Sequence, residues 1–353
     1  MESNGKKSKI KGEISRREFL GNAGGALAFT FVPRHVLGGL GYTAPSEKVN
    51  IAGIGVGGQG AADIDRINRA GGANIIALCD VDERYAGGTF NRYPDAKKYR
   101  DYRKMLDKEK GIDGVVVGTP DHTHAIVSMA AIKMGKHVYC EKPLTHTVYE
   151  ARKLAEAARE YKVATQMGNQ GQASEGTRRI SEFIQDGAIG PVREVHSWTD
   201  RPNNGLFGVY WPQGVERPKE TPAVPSTLEW DIWLGPAPVR AYNPAYHPFG
   251  WRGWWDFGTG ALGDIGCHSL DPVFRALKLG HPLSVHASCS LVNKETYPLA
   301  SAVHYDFGAR GDMPPVKLSW YDGGLKPRRP DEMDEGLQLP DTGTLYILSL
   351  IHI

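Results

Sequence analysis

The sequence predicts a doubly wound α/β domain followed by an α+β domain whose open sheet is mostly antiparallel. Between Val49 and about Gly168, short apolar runs alternate with stretches of helical periodicity, the pattern of repeated βαβ units around a parallel sheet. Beyond Gly190 the alternation stops, and a long stretch rich in Pro, Gly and Trp leads to one helix and then to strand-like runs. A length of 353 residues accommodates two such domains, each with its own core.

In chain order, the runs that read as buried strands are Val49–Ile54, Ile75–Cys79, Gly114–Val117, His137–Cys140 and Ala164–Met167. Ala61–Ala70, Ala125–Met134 and Val148–Tyr161 carry the apolar spacing of helices packed on a sheet. In the second half, the irregular stretch Arg201–Trp255 precedes a helix at about His268–Leu277. Strand-like runs follow at Ser284–Val292, Ser301–Phe307 and Val316–Tyr321. The division this implies is a leader and linker over residues 1–46, a first domain over 47–168, a second over 169–347 and a tail over 348–353.

Charge separates the leader from the rest. Lys and Arg exceed Asp and Glu by two overall, but residues 1–46 hold seven basic and three acidic side chains, so the remainder is slightly acidic. That balance excludes a global basic field for nucleic acid or anionic membrane. The leader runs from Lys6, Lys7, Lys9 and Lys11 through Ser15-Arg16-Arg17-Glu18-Phe19-Leu20 into a mild apolar stretch ending near Val32. It resembles a twin-arginine signal, which implies recognition by the twin-arginine export machinery and a periplasmic or otherwise exported protein, membrane-tethered if the signal stays uncleaved. At the other end, Leu348-Ser349-Leu350-Ile351-His352-Ile353 can be encoded by CTG TCT CTT ATA CAC ATC, a transposon end used in sequencing libraries. The natural chain is therefore expected to continue past about 344–347, leaving the second sheet incomplete. The four cysteines, Cys79, Cys140, Cys267 and Cys289, form no C-x-x-C pair and read as buried free thiols.

Immediately after the first strand stands Gly55-Val56-Gly57-Gly58-Gln59-Gly60, a G-x-G-x-x-G turn opening a helix. A register starting at Gly53 would place its first glycine inside the strand, so Gly55, Gly57 and Gly60 are the expected triplet. Such a turn lets the backbone approach a pyrophosphate at a helix N-terminus whose free N–H groups face the anion. Asp80 ends the second strand twenty positions after Gly60, where a carboxylate can accept from both ribose hydroxyls and repel a 2′-phosphate. The expected domain is thus a Rossmann dinucleotide-binding domain, and the expected cofactor is NAD.

Thr119-Pro120-Asp121-His122-Thr123-His124 follows the fourth predicted strand and Glu141-Lys142-Pro143 the fifth, at the strand ends where an open parallel sheet binds ligands. The second half adds Trp251-Arg252, Gly258-Thr259-Gly260-Ala261-Leu262 and Asp264-Ile265-Gly266-Cys267-His268. In this order, the motifs resemble those of the glucose–fructose oxidoreductase, inositol dehydrogenase and MocA family, from about Val49 to Ile347. The resemblance implies an oxidoreductase in which Lys142, Asp264 and His268 form the catalytic group. It places Gly55, Gly57, Gly60, Asp80, Thr119, Pro120, His124, Glu141, Lys142, Trp251 and Arg252 around the cofactor. Asp264 and His268 are four apart and share a helix face. His268 would take the proton of a substrate hydroxyl, Asp264 would orient its ring, and Lys142 would stabilise the developing alkoxide. The family's T-P-N-x-x-H carries Asp121 in place of Asn here, with a one-residue shift of its last His, so His122 and His124 are both taken as cofactor neighbours. The i, i+2 spacing of D-H-T-H with no third ligand argues against a metal. His146 reads as a surface or helix-capping residue.

Seven of the eight tryptophans lie between Trp198 and Trp255. Flat aromatic faces flanked by Arg201, Asn203, Asn204 and His247 suit a sugar, with one or two of these indoles touching ligand and the others packing the loops. The expected activity is NAD-dependent oxidation of a sugar or glycoside hydroxyl, by a homo-oligomer when full length. The alternatives are an NAD-dependent glycosidase or lyase acting by transient oxidation, and a non-catalytic binding protein. Retention of Lys142, Asp264 and His268 together argues against the last.

Overall fold

The computed structural model describes residues 44, 47–203, 208–331 and 333–348. The twin-arginine segment, Asn204 and residues 349–353 lie outside the described residues. Six strands form the first sheet: β1 (Val49–Ile54), β2 (Ala73–Cys79), β3 (Lys97–Tyr99), β4 (Gly114–Val117), β5 (His137–Glu141) and β6 (Thr165–Gly168). Their order is β3-β2-β1-β4-β5-β6, with parallel pairing of β1 with β4, β2 with β3, β4 with β5 and β5 with β6. The reversal of order between β1 and β4 makes the crevice at their carboxyl ends the expected ligand position.

Side-chain alternation along the strands sends one set of residues to each face. Ala52, Val115 and Val117 pack with Met105, Val127, Ala131 and Leu154 on one side, while Leu78 and Val116 pack with Ile64, Ala86 and Phe90 on the other. The first set comes from helices α3 (Tyr102–Lys108), α4 (Asp121–Lys133) and α5 (Val148–Glu160), the second from α1 (Gln59–Ala70) and α2 (Glu83–Arg92). Coverage of both faces explains why β4 is an unbroken apolar run, buried along its length. Among the elements around this sheet, β3, α2 and α3 went unread in the sequence, β3 and α3 being only three and seven residues long. Helix α2 holds two glycines and depends on its cap, since Asp82 accepts from the N–H groups of Arg84 and Tyr85 at 3.0 and 3.3 Å. Helix α5 starts with a capping box between Thr147 and Glu150.

The second sheet has β7 (Val192–Trp198), β8 (Ser284–Cys289), β9 (Ser301–Phe307), β10 (Val316–Tyr321) and β11 (Gly343–Leu348), in the order β11-β7-β10-β9-β8. Only the β7–β10 pair is parallel among these described strands. Helices α6 (Glu175–Gln185) and α8 (Gly260–Ala276) cover one face, burying Ile184, Val273 and Ala276 against Val195, Phe307 and Leu318. Between them runs the aromatic segment with the short helix α7 (Trp230–Leu234) and a 3₁₀ turn at Gly250–Gly253.

The structure corrects several boundaries. Helix α8 begins at Gly260, well before His268, because its glycine-rich first turns carry little helical signal in sequence. The strand read as Ser284–Val292 stops at Cys289. Leu348, assigned to the tail, ends β11 opposite Val192. Cys79 and Cys140 are buried as expected, but Cys267 is half-buried and Cys289 is exposed on the edge strand β8.

The start of α1 abuts the ends of β1 and β4 so closely that a Cβ on Gly60 would lie 2.0 Å from the Gly55 carbonyl oxygen, a backbone atom that cannot swing aside. Gly60→Ala is therefore expected to lose roughly 1–3 kcal/mol of stability, as overpacking does. Gly72→Ala, where nothing lies within 4 Å, should stay within about 0.5 kcal/mol of wild type. Thermal unfolding of both variants checks the contrast.

Candidate active site

The glycine turn stands at the carboxyl end of β1. Gly55 adopts φ +77° and donates its N–H to the Cys79 carbonyl at 2.8 Å. A Cβ there would sit 2.7 Å from the backbone of Gly118 and Thr119. Gly53, the alternative register, is packed inside β1 against Val56 and Ile64, which leaves Gly55, Gly57 and Gly60 as the turn. The N-cap of α1 is Gly58 with no side-chain cap; the Ala61 N–H donates to the Gly58 carbonyl at 3.2 Å, and those of Gln59 and Gly60 are left to an anion. At the end of β2, Asp80 accepts from the N–H of Val56 (2.8 Å) and of Asp82 (3.0 Å), one bond per carboxylate oxygen. Each oxygen keeps acceptor capacity for a ribose hydroxyl. Burial pushes the Asp80 carboxyl up to about 6 against those hydrogen bonds. These groups fit a pyrophosphate and a ribose diol, the two polar parts of a dinucleotide.

At the end of β5, Lys142 reaches across to α8 and donates to Asp264 twice, to its Oδ1 at 2.9 Å and its main-chain oxygen at 2.8 Å. Arg252, from the 3₁₀ turn, donates to the same Oδ1 through Nε at 3.2 Å. Burial alone would raise the Asp264 carboxyl, but Lys142 and Arg252 outweigh it and hold the group below its ordinary value. His268 lies one turn further along α8 and lines the same cavity. Asp264 was expected to orient the His268 ring; the bonds its Oδ1 accepts come instead from Lys142 and Arg252. Burial and the Lys142 charge hold the His268 imidazole below its ordinary value, so it stands neutral.

Three further groups complete the cluster. Asp121, at the start of α4, is buried and accepts from Thr259 Oγ1 at 2.7 Å. Burial, reinforced by the Asp264 charge, pushes it up to about 7. Glu141 is buried, accepts from Gln170 Nε2 at 2.6 Å, and is raised to about 7 by burial with a contribution from Asp63. Asn169 and Gln172 donate to the carbonyls of Cys267 and His268 at 2.7 and 3.1 Å, tying the loop after β6 to α8. Sequence reasoning missed Thr259 and this N-Q-G-Q loop as contributors. The available signal was a polar run at the carboxyl end of a buried strand.

The histidines divide. His124 lines the cavity with both ring nitrogens engaged, at 2.7 Å each, by the carbonyls of Thr119 and Pro143. His122 is not a cofactor neighbour. It is buried between the carbonyls of Trp233 and Phe257, where desolvation pushes it down to about 4. His146 reaches the Gly258 carbonyl at 2.9 Å, while the cap of α5 is Thr147.

All of Gly55, Gly57, Asp80, Thr119, Pro120, Glu141, Lys142, Trp251, Arg252, Asp264 and His268 line one cavity of about 760 Å³. Gly60 lies behind it, as the packing contact described above. Trp211, Trp233 and Trp251 share the wall with Arg201, Phe249 and His247. Trp230 and Trp254 pack in the aromatic cluster and Trp198 is buried in β7. Asn203 donates to the Gly323 carbonyl at 2.9 Å.

A glycine turn at a helix N-terminus, a buried acid at the end of β2, and a lysine and histidine at the end of the same crevice are the features of a dinucleotide-binding domain. Residues 49–169 match the model of the oxidoreductase family's NAD-binding Rossmann fold, and residues 178–308 match that family's C-terminal α/β domain. The chain belongs to the Gfo/Idh/MocA oxidoreductase family, and its first domain is an NAD-binding domain. It is 30% identical over 152 residues to an inositol 2-dehydrogenase of Salmonella paratyphi B, covering 42% of this chain and 44% of that protein. It is also 30% identical over 138 residues to a glycosyl hydrolase family 109 protein of Stenotrophomonas maltophilia, covering 36% and 29%. The chain thus spans less than half the length of these curated relatives. A WlbA dehydrogenase from Bordetella pertussis, solved with NADH and UDP-GlcNAcA, superimposes with a TM-score of 0.57 at 17% identity, covering 77% of this chain and 71% of that one, a likeness of fold.

The raised Asp121 carboxyl has a sign. An unfolded Asp ionises near pH 4, so between about 4 and 7 the folded protein keeps a proton that the unfolded chain has lost, and stability falls as pH rises through that window. Neutral histidines such as His122 act oppositely in the same window, but they are common to wild type and variant. The thermal midpoint of wild type relative to Asp121→Asn is therefore expected to fall as pH is raised from about 4 to about 8. Paired melts across that range measure it, and a flat difference would remove Asp121 from the titrating groups.

Proposed function

We propose that this protein is an exported oxidoreductase that oxidises a hydroxyl-bearing carbon of a sugar or glycoside, with NAD held tightly in the first domain. The observation that carries the reading is the placement of Lys142, Asp264 and His268 in the same cavity as the glycine turn and the aromatic wall. When bound, NAD supplies the hydride acceptor. The substrate carbon gives up a hydride, its hydroxyl proton passes to neutral His268, and a carbonyl remains. Lys142, fixed by Asp264, holds positive charge beside the oxygen as the proton leaves. Arg201 and the faces of Trp211 and Phe249 suit the polar rim and apolar C–H faces of a sugar ring.

The likeness to a family 109 glycosyl hydrolase supports a second reading, in which the sugar is oxidised transiently, the glycosidic bond is eliminated and NAD is restored. Mass spectrometry of products from free sugars and glycosides separates the two: a ketosugar, or a cleaved glycoside without net change in NAD.

His268→Ala is expected to lower turnover on the order of a hundredfold to ten-thousandfold with little change in NAD affinity, because a general base acts on the reacting hydroxyl. Lys142→Ala should reduce both. Equal losses of rate and NAD affinity in His268→Ala would return that residue to a structural role.

The twin-arginine resemblance leads to a further expectation. A protein folded before export carries its cofactor with it, so each turnover must regenerate NAD in place. Exported protein freed of unbound nucleotide by gel filtration should yield NAD(H) on denaturing extraction. An empty protein active only with added NAD would leave an ordinary dissociable dehydrogenase.

A further inference from the structure

The aromatic segment does more than face the sheet: it is laid along the carboxyl end of β2. Glu83 N–H donates to the Thr227 carbonyl at 3.1 Å, Glu229 N–H donates to the Val81 carbonyl at 2.9 Å, and Asp82 and Leu228 form an antiparallel bridge. Arg100 closes the edge with Glu229 at 2.7 Å. Further along the segment, His247 Nε2 lies 2.9 Å from Asp82 Oδ2. A carboxylate only accepts, so this contact fixes the hydrogen on Nε2 and leaves Nδ1 as a lone-pair acceptor. Nδ1 is buried and has no hydrogen-bond partner among the described residues, although the ring lines the cavity. A buried acceptor left unmatched is costly, and its presence calls for an explanation.

Tyr85 supplies one. Its ring lies over the glycine turn, with Cδ1 2.0 Å from where a Cβ on Gly57 would stand and the hydroxyl 2.8 Å from the same point on Gly58. The second glycine of such a turn is bare so that a pyrophosphate can approach its backbone, and here that face is covered by the tyrosine. The ring also meets His247 edge-on, with centroids 5.8 Å apart and planes at 75°. Tyr85 is 41% exposed, so it can turn outward without opening the core. Asp82 N–H, meanwhile, donates to Asp80 Oδ1 at 3.0 Å, which puts the ribose acid and the partner of His247 in one hydrogen-bonded chain.

We propose that Tyr85 and His247 form a latch for the dinucleotide: the pyrophosphate displaces the Tyr85 ring from the glycine turn, and a ribose hydroxyl beside Asp80 then donates to Nδ1 of His247. This goes beyond the sugar chemistry and rests only on dinucleotide binding by the first domain. Tyr85 governs entry and His247 governs retention, so the segment that walls the sugar site also holds the cofactor.

The test uses the full chain loaded with NAD and freed of unbound nucleotide. Release is followed after adding excess ADP-ribose, and uptake by stopped-flow fluorescence. In His247→Gln the side-chain amide keeps an N–H for Asp82 but loses the Nδ1 acceptor. Its NAD should leave about tenfold faster, the loss of one hydrogen bond. Tyr85→Ala should take up NAD roughly tenfold faster, a change of the size on-rates show among variants of one site. Release at the wild-type rate from His247→Gln, with faster release from His247→Ala, would reduce the histidine to a tether and overturn the contact. An effect confined to the sugar's KM, with ADP-ribose affinity unchanged, would assign the hydroxyl to the substrate and overturn it as well. Wild-type uptake by Tyr85→Ala would overturn displacement, and that variant decides the matter alone if His247→Gln does not fold.

Discussion

The buried carboxylate of Asp264 takes one cation from each domain, and the working geometry of the crevice hangs on that sharing. Lys142 comes from the end of β5, Arg252 from the 3₁₀ turn, and Asp264 from α8. Taking away either cation would leave a charged group in a desolvated place, a much larger loss than the net worth of a pair exposed to water. Lys142 also bonds the main-chain oxygen of Asp264, so its ammonium is fixed relative to the axis of α8 and hence to His268. The spacing of the Lys142 ammonium and the His268 ring is thus set by a helix and a strand end rather than by a loop. The neighbouring Asp121 completes the balance: two cations already face one carboxylate, and burial keeps the second carboxyl partly protonated near neutrality.

The aromatic segment shows how a wall can be made without a sheet. Trp230 and Trp233 stack at 4.6 Å, and Tyr246 packs edge-on against Trp254 and Phe257. Each indole N–H that is buried in this cluster must find an acceptor or lose its hydration for nothing. Trp230 donates to the Arg240 carbonyl at 2.8 Å and Trp254 to that of Ala245 at 3.2 Å, whereas the buried Trp233 N–H finds no acceptor among the described residues. The irregular backbone between them is thereby satisfied by the same side chains that fill the space. The rings of α7, of the 3₁₀ turn and of the loops beside them form one core of their own.

What could be read from the sequence follows from where the determinants lie. Strands β1, β4, β9 and β10 were legible to the residue because their apolar runs are bounded by turns and fully committed to a sheet. Helix α2 was not, since two adjacent glycines in E-R-Y-A-G-G-T-F-N-R lower its helical propensity, and its stability comes from Asp82 capping and from the burial of Ala86 and Phe90 against β2. Apart from Gly60 and His122, the cofactor and catalytic residues singled out in sequence line one cavity, because glycine turn, E-K-P and D-x-x-x-H each sit at an element end. Their pairings were not legible: spacing four apart joined Asp264 to His268, whereas the fold brings Lys142 and Arg252, 122 and 12 positions away, onto that carboxylate. Likewise D-H-T-H looks like one feature in sequence, yet the helix turns His122 into the Trp233 and Phe257 carbonyls and leaves His124 at the cavity.

The two halves of the crevice recognise ligand by different means, and this bears on the choice between oxidation and cleavage. The nucleotide half works through backbone N–H groups and the Asp80 carboxylate, which any sequence with that turn and acid provides. The other half is walled by side chains of the irregular segment, Arg201, Trp211, Phe249 and Trp251, so the fold leaves the proposed sugar unspecified. Simple oxidation needs one group to take the hydroxyl proton, and neutral His268 suffices. Elimination after oxidation needs more: a base for the proton beside the new carbonyl and an acid for the departing glycosidic oxygen. Asp121 lines the same cavity and, raised to about 7 by burial, can hold a proton or accept one near neutrality. The chain therefore carries the second proton-handling group that cleavage requires. In the proposed cleavage, the outcome then turns on whether the glycosidic oxygen is seated within reach of Asp121.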